Sequence, residues 1–201
     1  MTSAKASVDL TGKSGRVSID GATVKAITEA AGTDTDITMT VKDSKGKTLY
    51  TLTADSADLK AGNSVKVFKY SAKKGYVLVN AKTYKASKSG SVSVSLKDKA
   101  AYRLEDTKTA AKIEKQILNS VKPAKTSAKI KTGKSMKASL AGSFHQENAK
   151  SISYSTTDKK VVKVSKNGTV KALKKGTASV KVKVVLKNGK TKTVKVNLTV
   201  K

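Results

Sequence analysis

Residues 151–182 read SISYSTTDKKVVKVSKNGTVKALKKGTASVKV. Ile152 and Tyr154 share one parity, as do Val162 and Val164, then Val170 and Ala172, then Ala178, Val180 and Val182. Lysine, serine and threonine fill most of the places between. Side chains on a strand alternate faces with a period of two, so each segment can bury one face and solvate the other. Asn167-Gly168, between the second and third segments, tolerates positive φ and predicts a two-residue hairpin turn. Lys175-Gly176 separates the third segment from the fourth. The stretch is the core of a β-sandwich in sequence form, and it carries no evident catalytic chemistry.

The pattern extends in both directions. Asn188-Gly189 makes a turn before Val194, Val196, Leu198 and Val200, which alternate without a break. Upstream, Ala128 and Ile130, then Met136, Ala138 and Leu140, give two strands around Thr132-Gly133-Lys134. Residues 106–123 hold the only proline, Pro123, and form a connector. Ile113 and Ile117 have helical spacing there, but Ile117 and Val121 also fit an extended parity, so its type stays open.

The first half begins with small, polar residues 1–16, read as a frayed lead-in. Asp20 can cap a short helix over residues 21–31, with Val24 and Ile27 on one face and Gly32 as its stop. Strand signals follow at Ile37–Val41, at Tyr50 and Leu52, and at Val65 and Val67, with Phe68 and Tyr70 on the other face of that last strand. Asp43-Ser44-Lys45-Gly46 turns the first pair. Lys73-Lys74-Gly75 leads into Tyr76–Asn80, apolar on both faces. Ser89-Gly90 leads into Val92, Val94 and Leu96, and Tyr102 with Leu104 closes the set. Strands at this spacing predict a second β-sandwich or barrel-like domain. The expected fold is all-β: two sandwich-like domains in tandem, 1–105 and 124–201, with one short helix near the N-terminus.

The chain has 201 residues, enough for two ordinary domains. It has no cysteine, which excludes disulfide staples and thiolate metal sites. No run approaches the roughly 18 apolar residues needed to span a bilayer, and the N-terminus lacks an apolar signal region. The expectation is a monomer that acts inside the cell or is a mature or excised piece. The charge is lopsided: 42 basic against 14 acidic residues, net +28. Residues 1–105 carry 18 and 10, net +8, whereas 106–201 carry 24 and 4, net +20. Such a field attracts polyanions. Only Arg16 and Arg103 are arginine. Lysine lacks the planar fork that reads guanine or clamps phosphate, so sequence-specific DNA recognition is disfavoured.

Residues 124–201 resemble a bacterial Ig-like domain of group 2. The residues that carry this are Gly133-Lys134, Tyr154-Ser155-Thr156, Val161-Val162-Lys163-Val164, Gly168-Thr169-Val170-Lys171-Ala172, Gly176-Thr177-Ala178-Ser179-Val180 and Val196-Asn197-Leu198-Thr199-Val200. Tyr154 stands where tryptophan is commoner. The resemblance implies an immunoglobulin-like, non-catalytic spacer or adhesive module of a secreted or cell-surface protein, hence an extracellular origin and further domains beside it. Residues 1–105 are similar to a β-rich module of Gram-positive surface proteins, through Val65–Tyr70, Gly75–Val79, Ser89–Val94 and Ala101-Tyr102; that module brings no activity. A lysine–asparagine isopeptide crosslink, used in some such domains, needs a buried acid between the pair, and the sequence locates no such triad.

No catalytic, cofactor-binding or metal-binding residue is expected. Gly-Lys-Ser/Thr recurs at Gly12, Gly46, Gly133 and Gly189, but a phosphate loop needs glycine where Ser7, Val41, Ala128 and Val184 stand; all four read as turns ahead of strands. His145 is the only histidine and reads as an exposed loop residue. Asp34 and Asp36 lack a defined calcium loop and read as a solvated turn. Asp106, Glu114, Glu147 and Asp158, the four acids of 106–201, are too few for paired-carboxylate hydrolysis. Asn167-Gly168-Thr169 and Asn197-Leu198-Thr199 match a glycosylation pattern but read as a turn and a strand. Tyr50, Tyr70, Tyr76, Tyr84 and Tyr102 can form a sugar-stacking face, though core filling suits their parity better. The partners this suggests are anionic cell-wall polymers or surface glycans. The first function expected is a spacer or adhesion module. Glycan or polymer binding through 1–105 is the alternative, and non-specific polyanion binding by the lysine surface a third.

Overall fold

In a computed structural model of the protein, residues 6–11, 14–19, 36–42, 48–55, 62–86, 92–96 and 100–201 are described. The chain divides into two compact units, Met1–Ile113 and Glu114–Lys201. It is mostly β among those residues, with one α-helix. The helix expected over 21–31 and the turns at 43–46 and 89–90 lie outside the described residues.

The second unit follows the alternation most closely. Its strands are β10 (Ser127–Ile130), β11 (Ser135–Lys137), β12 (Ala149–Thr156), β13 (Val162–Val164), β14 (Thr169–Ala172), β15 (Gly176–Leu186) and β16 (Thr191–Val200). They form two sheets, ordered β10-β16-β15-β12 and β11-β14-β13. Along β15, Ala178, Val180, Val182, Val184 and Leu186 are buried, while Lys181 and Lys183 are exposed. Val196, Leu198 and Val200 of β16 and Val162, Val170 and Ala172 of the smaller sheet complete the core. Each fully buried valine or leucine contributes about 2 kcal/mol relative to exposure. β10 runs parallel to β16, pairing Ser127 with Asn197 and Ile130 with Val200; all other strand pairs in this unit are antiparallel.

The turn at Asn167-Gly168 differs from expectation. Ser165 N–H donates to Thr169 O at 2.9 Å and Gly168 N–H to Ser165 O at 3.0 Å, which leaves a three-residue loop. Gly168 has φ +81°, and no described non-glycine residue has positive φ, Asn167 included. A two-residue type I′ turn needs positive φ at both positions. Asn167 instead accepts the Thr169 N–H at 3.2 Å through its Oδ1. Asn188-Gly189 repeats the arrangement, with Leu186 N–H donating to Lys190 O and Gly189 N–H to Leu186 O.

In the first unit, β1 (Ala6–Thr11) and β2 (Ser14–Ile19) form a hairpin where a frayed lead-in was expected. Its backbone groups are satisfied by a third strand far along the chain, which a local reading misses. The further strands are β3 (Asp36–Lys42), β4 (Thr48–Asp55), β5 (Ser64–Ser71), β6 (Gly75–Leu78), β7 (Tyr84–Lys85), β8 (Val92–Leu96) and β9 (Ala101–Asp106). One sheet is β1-β2-β8; the other is β3-β4-β9-β5-β6, with β7 on β5. β4 and β9 pair in parallel. The register puts Leu52, Ala54, Val65, Val67, Val77, Tyr102 and Leu104 on one face of the larger sheet, all buried. Phe68 and Leu78 are buried on the opposite face, so the apolar reading of both faces around residues 76–80 holds at Val77 and Leu78.

The connector is helical: α1 spans Thr107–Ser120. Asp106 caps it, its Oδ1 accepting the N–H of Lys108 at 2.6 Å and of Thr109 at 3.1 Å. The second half of α1 is held by the second unit. Lys190 pairs with the buried Glu114 at 2.9 Å, and Lys192 Nζ donates to the carbonyls of Leu118 and Asn119 at 3.1 and 3.3 Å. A cation at the carboxyl end of a helix also meets its favourable dipole.

Candidate functional site

The face of the larger first-unit sheet opposite its main core gathers three aromatic rings, an arginine and a glutamate. Register places Phe68 opposite Leu78 and Arg103, and Tyr70 opposite Tyr76. Alternation then sets Phe68, Tyr70, Tyr76, Arg103 and Glu105 on one side of β5, β6 and β9. The Tyr76 ring lies edge-on to Phe68 (centroids 5.7 Å, 80°) and tilted against Tyr70 (5.0 Å, 57°). The Arg103 guanidinium stands 5.6 Å from the Tyr70 ring centroid, within cation–π range.

Glu105 ties the group together. Its Oε1 accepts the Tyr76 hydroxyl at 2.5 Å and Arg103 Nε–H at 3.1 Å. Burial, reinforced by the hydrogen bond to Glu105 and that carboxylate's charge, pushes the Tyr76 hydroxyl up to about 12. Tyr76 therefore keeps its proton at neutral pH and donates a hydrogen bond to Glu105. Tyr70 is 37% exposed and presents an aromatic surface beside a cation. Such an arrangement can stack a sugar ring and hydrogen-bond its hydroxyls. Among the described residues, no second carboxylate of the kind glycoside hydrolysis requires stands beside Glu105 in this cluster.

The five tyrosines therefore do not share one face. Tyr102 is buried in the main core at 1% exposure. Tyr84 accepts a hydrogen bond from Asn80 Nδ2 at 3.2 Å. Tyr50 lies on β4, its side chain outside the described residues. Sequence parity paired Phe68 with Tyr70, but Arg103 and Glu105 join them only through the β5–β9 register.

The other candidates remain scattered. His145 is half-buried rather than exposed, at the head of a short 3-10 turn, Gln146–Asn148, where its carbonyl accepts the Asn148 N–H. Its neighbour Phe144 is buried, at 3% exposure. Asp36 opens β3, opposite Asp55 in backbone register, while Asp34 lies outside the described residues. No group of three or more metal-binding side chains occurs among the described residues. Gly133 and Gly189 sit in turns ahead of β11 and β16; Gly12 and Gly46 are not described. Asn197 and Thr199 lie on β16. Glu114 is the buried acid of the second unit, but its partner Lys190 is 46% exposed, unlike the dry lysine an isopeptide crosslink requires. No described helix is long and apolar enough to cross a membrane.

Tyr154 and Gly168 meet directly. A β-carbon at Gly168 would lie 2.6 Å from Tyr154 Cε1, so the ring rests on the bare glycine of the next turn. Burial raises the Tyr154 hydroxyl above its ordinary value. Two matched motifs are thus one packing unit in a two-sheet sandwich, and residues 118–196 match the family model of the bacterial Ig-like domain (group 2). A bacterial Ig-like domain of group 2 occupies this part of the chain. The group 2 domain is a non-catalytic family, and the match speaks for this segment alone. No curated protein matches the sequence.

Among solved structures, the chain is similar to a bacterial Ig-like domain-containing GH10 xylanase from termite gut. Identity is 22%, over 37% of this chain and 19% of that one, with a TM-score of 0.25. It is also similar to domains 4 and 5 of the S-layer protein SbsC, with 12% identity, 80% and 78% coverage and a TM-score of 0.31. Drosophila N-cadherin EC1-4 gives 14% identity, 86% and 46% coverage and a TM-score of 0.32. The chain spans about a fifth of the xylanase, 19%.

Proposed function

We propose that the protein is a non-catalytic module of a secreted or cell-surface bacterial protein, and that its group 2 domain serves as a structural spacer. The observation that carries this is the parallel pairing of β10 with β16. Parallel first and last strands set the entry at Ser127, beside Asn197, and the exit at Val200, beside Ile130, at opposite ends of their four-pair ladder. Tension along the chain then loads that ladder in shear, so its hydrogen bonds share the load instead of opening one at a time.

Pulling the full chain by its ends tests this. Unfolding of 114–201 is expected as one cooperative event that releases roughly 300 Å of extended chain. Ala128→Pro removes an N–H from β10 and is expected to lower the force of that event. An unchanged force in a folded variant would overturn the spacer reading.

The exposed Tyr70 beside Arg103 and Tyr76 favours a second reading, saccharide binding through the first unit. The chain has no tryptophan, so tyrosine emission reports ligand directly. Oligosaccharides are expected to change that emission in the wild type and not in Tyr70→Ala.

A further inference from the structure

Strand register in the group 2 domain brings like charges together. Lys181 of β15 lies directly opposite Lys195 of β16, and Lys183 lies two residues along. On the same face are Lys129 of β10, opposite Thr199, and Ser153 and Ser155 of β12, opposite Lys183 and Lys181. Thr193 and Asn197 complete the bed, and all of these residues are exposed. Side chains directly opposite on antiparallel strands have β-carbons about 5 Å apart, and like charges there are destabilising.

Nothing within the unit relieves this. Residues 114–201 hold three acidic side chains. Glu114 pairs with Lys190, and Asp158 accepts the N–H groups of Lys160 and Val161. Glu147 lies in the 3-10 turn. None stands on the outer face of the β10-β16-β15-β12 sheet. A face that keeps uncompensated lysines over a bed of hydroxyl and amide groups is matched by a ligand that supplies anions and hydroxyls together.

We propose that this face binds an anionic polyhydroxy polymer, a polyol or sugar chain bearing phosphate or carboxylate groups, with Lys181, Lys183 and Lys195 as its cation row. Lysine positions about 5 Å apart across strands and about 7 Å apart along one suit a flexible chain of repeating anions. Ser153, Ser155, Thr193 and Asn197 hydrogen-bond its hydroxyls. Nucleic acid fits less well: the face has no aromatic ring for base stacking and no arginine fork. This rests on the surface-module reading and adds a ligand to it.

The smaller sheet supplies a control, because Lys163 of β13 lies directly opposite Lys171 of β14. The test uses the full chain, with poly(glycerol phosphate) and polygalacturonate as probes, and double-stranded DNA and dextran as comparators, over a salt series. Lys181→Ser/Lys195→Ser is expected to weaken binding to either anionic polymer about tenfold and to lower the salt slope by roughly 1.5. Lys163→Ser/Lys171→Ser, which removes the same charge, is expected to change affinity by about threefold or less. The probe is also expected to raise the wild-type Tm and to have less effect on Lys181→Ser/Lys195→Ser. Selectivity between phosphate and carboxylate probes identifies the anion. Equal losses in both variants, tighter binding to DNA than to either probe, or no binding at low salt would each overturn the proposal. None of these outcomes touches the spacer reading, which the pulling measurement tests separately.

Discussion

Arg103 in the first unit and Lys195 in the second are both strand cations, and their neighbours could hardly differ more. Arg103 lies over Tyr70 and pairs with Glu105, so its charge is used within the fold. Lys195 faces Lys181, so its charge is turned outward. The contrast follows the composition: net +8 over residues 1–105 and +20 over 106–201. A planar guanidinium can stack and pair at once, whereas an ammonium at the end of a flexible stem stays hydrated. A basic sheet can therefore be an internally satisfied cluster or an open field, and cross-strand register decides which.

The largest expected effect separates the two units by their turns. Gly168→Val forces a β-branched residue to φ +81° and into the Tyr154 ring, and is expected to destabilise 114–201 by about 3 kcal/mol. Gly75→Ala in the first unit also faces positive φ, +65°, but its β-carbon would meet nothing within 4 Å; about 1 kcal/mol is expected. Denaturant melts that give equal losses would show that the contact with Tyr154 does not set the cost.

Next comes the internal satisfaction of the first unit. Tyr76→Phe leaves Glu105 without its hydroxyl donor and is expected to cost about 1.5 kcal/mol. Tyr76 also predicts an alkaline effect. Its folded value near 12 lies above the ordinary value of 10.0, so the folded state holds the proton more tightly. That stabilisation is complete below about pH 10 and is lost as pH rises through about 12. Tyr76→Phe is expected to flatten this window in stability-versus-pH curves, whereas Tyr154→Phe, at a hydroxyl raised by burial, tests burial alone.

The N-terminal cap of α1 gives a smaller effect. Burial pushes the Asp106 carboxyl up, but hydrogen bonds from Thr109 (side chain and backbone) and from Lys108 N–H, with the charge of Lys108, outweigh this and hold it below its ordinary value. Its stabilisation is therefore present above the ordinary carboxylate range and lost as pH falls through the lowered value. Asp106→Ala is expected to cost about 1 kcal/mol, with faster hydrogen exchange in the first turn of α1. The smallest effect has the opposite sign. Lys195→Glu replaces a repulsive pair by an attractive one and is expected to stabilise 114–201 by about 0.5 kcal/mol at low salt, fading as salt rises. A destabilised Lys195→Glu would break the comparison at its root.

The second unit was largely legible because burial there obeys the simplest rule. Val180, Val182, Val184 and Leu186 alternate with lysines and serines, and the strands fall where the alternation runs. The connector stayed open because Ile113, Ile117 and Val121 do not settle its period; Asp106 as its cap and Lys192 at its far end close the question. The Asn167-Gly168 pair marks where the turn falls but not its type, since Asn167 can use its side chain on Thr169 N–H without taking positive φ. In the first unit β1 and β2 are not legible locally, because their completing partner, β8, is distant in sequence.

By itself, the sequence determined an all-β chain, the group 2 domain and its motif order, the excess of lysine over acid, and the scarcity of acids for hydrolysis. These rest on local alternation and composition, which need no knowledge of neighbours. Only the tertiary structure decided that β10 lies parallel to β16, that Tyr154 rests on Gly168, that Arg103 meets Tyr70 and Glu105, and that Lys181 faces Lys195. Alternation tells each side chain which face it takes. Register between strands, set by the whole sheet, tells it what stands opposite.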